Sequence, residues 1–154
     1  MNDVTAYANW GANFVVVFAT TFAVIITSFT HYEGLTWINR LLARIGHPKR
    51  RSVLYAVLGL IALHIVEIWI FGIDYHLLLL WPETGHISGA TSGNIFDHIY
   101  FSATVFTTLG LGDLSPSGPI RFLTGAEALT GFVLIGWSAS FTYLKMEHLW
   151  KLHG

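Results

Sequence analysis

Thr107 and Thr108 run into Leu109-Gly110-Leu111-Gly112-Asp113, a threonine pair followed by alternating leucine and glycine and closed by a carboxylate. Glycine adopts positive φ at little cost, so this alternation can turn successive carbonyl oxygens to one side of the strand. With the Thr108 hydroxyl at one end, the row offers oxygens that can replace the water of a dehydrated monovalent cation. One chain supplies one strand of oxygens, and closing rings around an axis takes several chains. The chemistry is ion binding and release without bond making, so no catalytic residue is assigned.

A second set of groups is ionisable but sits in apolar surroundings. His64 and Glu67 lie three apart in one apolar segment, hence on one face of a helix, and Glu127 lies in another such segment. Ionisable groups at membrane depth are costly and face protein or water with a partner. Three roles stay open for them: bracing behind the glycine row, proton sensing, or a metal site. A His-x-x-Glu spacing can ligate a metal, yet two ligands do not close a zinc shell. Bracing is the expected role of Glu67 and Glu127.

The elements that must position these residues are read from composition. The chain has 154 residues, 53% hydrophobic and 11% charged, against about 25% charged in soluble domains. A net charge of −1 argues against nucleic acid as a partner. The absence of cysteine excludes disulfides, thiolate metal sites and iron–sulfur clusters. Three segments, residues 11–30, 53–71 and 120–144, have the length and apolarity of a membrane span. The first reads as a retained helix, because Met1-Asn2-Asp3 lacks a basic start. Residues 95–108 are apolar but too short to cross, which fits a re-entrant piece buried in protein or lining water. Asn94 can cap its start, and Asp97 adds charge to its first turn. The expected organisation is a helix and basic loop over 1–52, a central unit over 53–145 and a tail over 146–154.

Orientation follows from the basic residues. Arg40, Arg44, Lys49, Arg50 and Arg51 crowd the first loop, and Lys145 and Lys151 follow the third span. Asp3, Asp74, Glu83, Asp97 and Asp113 collect on the other side, with Arg121 the one basic residue there. The amino terminus is therefore expected outside and the carboxyl terminus in the cytoplasm. On that topology His31, His47, His148 and His153 face the cytoplasm, while His76, His86 and His98 face outside. Residues 40–51 could bind anionic lipid headgroups or only set topology. Trp10, Trp37, Trp69, Trp81 and Trp150 fall near span ends, as interfacial belts do. The connection over 73–93, with its Leu77-Leu78-Leu79-Leu80 run, is unusually apolar for a solvated loop.

The stretch around the glycine row resembles the pore loop of the potassium channel superfamily, whose filter usually reads T-V-G-Y-G-D. Thr108, Gly110, Gly112 and Asp113 stand in register with it, Thr107 doubles the threonine, and Pro116 follows the aspartate by three. Gly118-Pro119-Ile120-Arg121 resembles the start of the family's inner helix, and Gly131 and Gly136 its hinge glycines. The resemblance covers about 53–145. It implies a homotetramer around a four-fold pore, each chain giving an outer helix, a re-entrant pore helix, a selectivity filter and an inner helix. The first span departs from that two-helix pattern and reads as a membrane anchor or assembly surface, so the expected fold is an all-α protein of the cell membrane with three transmembrane helices. Potassium ions would bind at Thr108, Leu109, Gly110 and Leu111, with Gly112 completing the filter. Thr107 and Asp113 would support it, the resemblance favouring bracing for Asp113. Two positions depart from the pattern. Leu111 stands where the family usually has an aromatic residue, so a weakly selective cation pore is the alternative. Thr104 stands where many members carry a carboxylate behind the filter. A membrane metal-binding protein using His64, Glu67 and Glu127, or a non-conducting accessory subunit, are the readings from other classes.

Overall fold

A computed structural model describes residues 9–44, 50–89 and 93–153. Asp3, His47 and Lys49 lie outside the described residues, as do the side chains of Arg50, His148, Trp150 and His153.

The first helix, α1, spans Trp10–Arg44. Its start is capped by the Asn9 side chain, which accepts from the amides of Gly11 (2.9 Å) and Ala12 (3.3 Å). Ala12, Val16, Thr20, Ala23, Thr27, His31, Leu35, Ile38 and Leu42 recur every three or four residues and form its buried face. Phe14, Phe18, Phe22 and Phe29 form an exposed apolar face, suited to lipid. The helix continues well past residue 30, where hydropathy alone ends the span. The stripe of buried residues does not break there, so packing carries the helix on. His31 is thereby fully buried in mid-helix instead of facing the cytoplasm.

The second helix, α2, spans Arg50–Leu78 and takes Leu77 and Leu78 out of the expected loop, burying Leu78. A single 3-10 turn, Pro82–Thr84, follows, and then strand β1, His86–Ser88. The short helix α3 spans Ile95–Phe106. Strand β2, Ser115–Ser117, pairs antiparallel with β1, Ile87 opposite Pro116. The last helix, α4, spans Arg121–His153. Buried Thr84 ties the two connections together: its carbonyl accepts from the Ile120 amide at 2.9 Å, one residue before α4 begins.

Three helices, Trp10–Arg44, Arg51–Leu78 and Arg121–Glu147, are long and apolar enough to cross a membrane, while α3 is not. Apart from two short strands the described residues are all-α, a membrane fold with one non-spanning helix held among three long enough to span. α3 packs on both α2 and α4, and α1 packs on α2 and α4 from the side. Phe71, Tyr75, Phe101, Phe106, Leu123 and Leu134 form the common core, joined by Val16 and Ala23 of α1. Lipid tails are as apolar as these side chains, so shape fit and polar contacts must hold the helices together.

Candidate functional site

α3 is the element that aims the glycine row. Asn94 occupies its N-cap position with an extended backbone, but makes no side-chain cap. The Asn94 carbonyl accepts from the Asp97 amide at 3.0 Å instead. At the other end the Thr107 hydroxyl donates back to the Ala103 carbonyl at 2.7 Å, and the Thr108 amide to Val105 at 2.8 Å. The chain then reverses: the Gly110 amide donates to the Thr104 carbonyl at 3.1 Å. Positive φ occurs at Thr108 (58°), Gly110 (55°) and Gly112 (80°), alternating with Leu109 and Leu111. Thr108 is the one non-glycine residue with positive φ among the described residues. A β-branched residue there is strained, and strain persists where surroundings over-determine it. Thr107 through Asp113 are all exposed in the single chain, with Leu109 64% and Leu111 58% accessible.

Asp113 is tied back to α3. The Tyr100 hydroxyl donates to its Oδ2 at 2.9 Å, and that bond holds the phenol above its usual range, so it stays a donor. Leu111 has no ring to reach α3, but Tyr100 reaches in the opposite direction, from α3 to the end of the row.

Glu127 of α4 supplies a buried carboxylate behind α3. Its Oε2 accepts from the Tyr75 hydroxyl of α2 at 2.8 Å, and its Oε1 lies 2.5 Å from Ser102 Oγ of α3. Ser102 also reaches the Ile68 carbonyl of α2 at 2.9 Å, and Tyr75 lies 3.1 Å from Thr124 Oγ1. One carboxylate thus joins three helices, all three polar residues fully buried. Thr104 points its hydroxyl to the Phe101 carbonyl at 2.8 Å and takes no part.

Glu67 sits elsewhere. Its oxygens are taken by His31 Nδ1 of α1 at 2.8 Å and His64 Nδ1 at 2.7 Å. Its hydrogen-bond partners are therefore the first two helices and not α3. Glu127 does not join this group. The His64 ring does lean on Phe106, the last residue of α3, with centroids 5.8 Å apart, and the His31 ring on Trp137 of α4, 5.2 Å apart.

Gly131 and Gly136 lie within unbroken α4 in different settings. A Cβ on Gly131 would collide with the Phe106 carbonyl oxygen and stand 3.0 Å from its Cα, whereas one on Gly136 meets nothing. Gly131 is where α4 crosses the end of α3 at backbone distance.

His76 and His98 link the ends of α2 and α3, their Nδ1 atoms 3.1 Å apart. Burial holds His98 below its ordinary value of 6.5, the charge of His76 adds to this, and Asp97 opposes it. The unfolded chain therefore binds more protons, and stability falls as pH drops through about 6.5 towards the lowered folded value. When melting midpoints in detergent are plotted against pH, His98→Gln should gain on wild type as pH falls from neutral to acidic, so the two slopes differ. An unchanged slope in that variant would remove His98 from the account.

His31, Tyr75, Tyr100, Ser102 and Trp137 had no signal in sequence spacing, since each meets a partner on another element. The one available hint was His31 falling on the stripe of α1 that ends in Leu35, Ile38 and Leu42.

No curated protein and no solved structure matches the chain. A family model described as an ion channel matches residues 53–147, which takes in most of α2, all of α3, the glycine row and most of α4. That match covers well over half of the chain, and with the short buried helix and exposed glycine row it frames, the chain belongs to the pore-loop ion channel superfamily, the potassium-channel-like group among it.

Proposed function

We propose that four copies of this chain form a potassium-selective channel whose filter is the carbonyl row of Thr108, Leu109, Gly110 and Leu111, with Gly112 completing the turn. The observation that carries the reading is the alternation of positive φ at Thr108, Gly110 and Gly112 in a segment exposed throughout. Alternating handedness brings successive carbonyls to one side, and such a row of exposed carbonyl oxygens at the end of a non-spanning helix suits cations with sister rows around them. The exposed Leu129, Phe132 and Val133 of α4 offer the apolar surface for such neighbours. Potassium ions shed water into these rings and advance by mutual displacement. The negative dipole end of α3, near Thr107, favours a cation below the filter. Asp113 through Tyr100, and Glu127 through Ser102, hold the filter to α3 and α3 to the bundle. Gly136, free of neighbours, is the hinge of the inner helix α4; Gly131 serves close packing.

In this reading the protein lies in the cell membrane with its amino terminus outside, and Arg40 to Arg51 face anionic headgroups in the cytoplasmic leaflet. Leu111 favours one second reading, a monovalent cation pore of weak selectivity. Recording from purified protein in planar bilayers with asymmetric potassium and sodium chloride separates the two. Reversal near the potassium equilibrium potential is the expected result. Reversal near zero with clear openings would establish the weakly selective pore, and silence in all lipids would overturn both.

A further inference from the structure

We propose that His31, His64 and Glu67 form a site for one divalent transition-metal ion of the zinc class, between α1 and α2. Each residue offers one ligand atom, and the ligand atoms all lie within 4.8 Å of one another. A bound zinc ion would hold nitrogen and oxygen ligands at about 2.0–2.2 Å, so a small side-chain contraction closes them on one ion. Two imidazoles and a carboxylate are a borderline donor set that suits zinc, cobalt or nickel. Calcium and magnesium demand six or more oxygens, which one carboxylate cannot approach.

Burial argues the same way. Glu67 and His31 are fully buried in spanning helices, and His64 is 19% exposed. A carboxylate there needs charged or hydrogen-bonding partners, and both of its contacts are imidazoles, side chains that are equally metal ligands. His31 Nε2 is moreover buried with no hydrogen-bond partner, so the present pairing leaves the polar capacity of the triad unfilled. Phe106 and Trp137 wall the group with aromatic rings. Three protein ligands leave a fourth position for water. The site is independent of whether the pore conducts, so its test needs no current.

Full-length protein in detergent, stripped with chelator, is titrated with Co²⁺. The expected result is one ion per chain, with the intense visible bands of four-coordinate cobalt, displaced by equimolar Zn²⁺. His64→Gln and Glu67→Gln should each weaken binding at least about tenfold, the scale set by losing even an outer-shell partner. A His76→Gln, His98→Gln double variant should bind like wild type. An X-ray absorption spectrum of zinc-loaded wild type is the check that needs no variant to fold: it should show two imidazoles and carboxylate oxygen. Absence of stoichiometric ion, a shell of water oxygens, or unchanged affinity in folded His64→Gln would overturn the site and leave the triad an ion pair held by a proton.

Discussion

Replacing Gly131 by alanine is expected to cost the protein about 1–3 kcal/mol and most of its conducting activity. The new methyl group would meet the Phe106 carbonyl oxygen and the backbone atoms around it. A flexible side chain could rotate away, but a backbone carbonyl can move only with its helix. Phe106 is the last residue of α3 and stands two positions before strained Thr108. Relief of the clash therefore displaces the start of the candidate filter. Gly136→Ala is the matched control, because its Cβ would meet nothing. Alanine is a better helix former than glycine by about 1 kcal/mol, so that variant should melt no lower than wild type. If bending at Gly136 opens the pore, Gly136→Ala should also reduce open probability. Melting curves and single-channel records of both variants give the answer, and equal behaviour of the two would refute the distinction between them.

Glu127→Leu is the second large effect. The leucine keeps apolar volume but withdraws the acceptor from Tyr75 and the partner from Ser102, both fully buried. A buried donor left unsatisfied costs about 1–3 kcal/mol, moderated here because Ser102 keeps the Ile68 carbonyl and Tyr75 keeps Thr124. Glu127→Gln preserves shape and hydrogen-bonding capacity and should lose well under half as much. The pattern across variants matters more than either value. Ser102→Ala combined with Glu127→Leu should cost less than the sum of the two, since the partners act as a unit. Strict additivity, or a Glu127→Leu protein that melts and selects like wild type, would show that α3 is held by other contacts.

How much of this was legible in the sequence depends on how local each signal is. The spans announce themselves by composition, and the glycine row by its alternation within a few residues. The non-spanning helix was readable because its apolar run is bounded by Asn94 and the glycine row. Its cap was not, since whether an asparagine side chain or carbonyl does the work depends on how the preceding loop arrives. His31 illustrates the other limit. A hydropathy window ends at Thr30-His31, and no local rule says that His31 will meet Glu67, 36 positions along on another helix. The same holds for Tyr100 and Asp113, whose bond closes only after the chain reverses at Gly110. Thr104 could be read as lacking the usual carboxylate, yet nothing nearby says that Glu127 of a different helix fills in behind α3. Polar pairs inside a bundle are facts of three dimensions, and spacing along the chain records only those within one helix.

The length of α1 sets a relation to the bilayer itself. Trp10 and Trp37 stand close to its two ends, about 40 Å apart at about 1.5 Å per residue. That distance approaches the full thickness of a bilayer with its headgroups, about 40–45 Å. The two indoles can then settle at opposite interfaces with the helix almost upright. In a thinner membrane α1 must tilt to keep both rings at the headgroups, and α2, paired along its length, must follow. Lipid chain length thus acts on the angle at which the helix pair approaches α4, with no ligand involved.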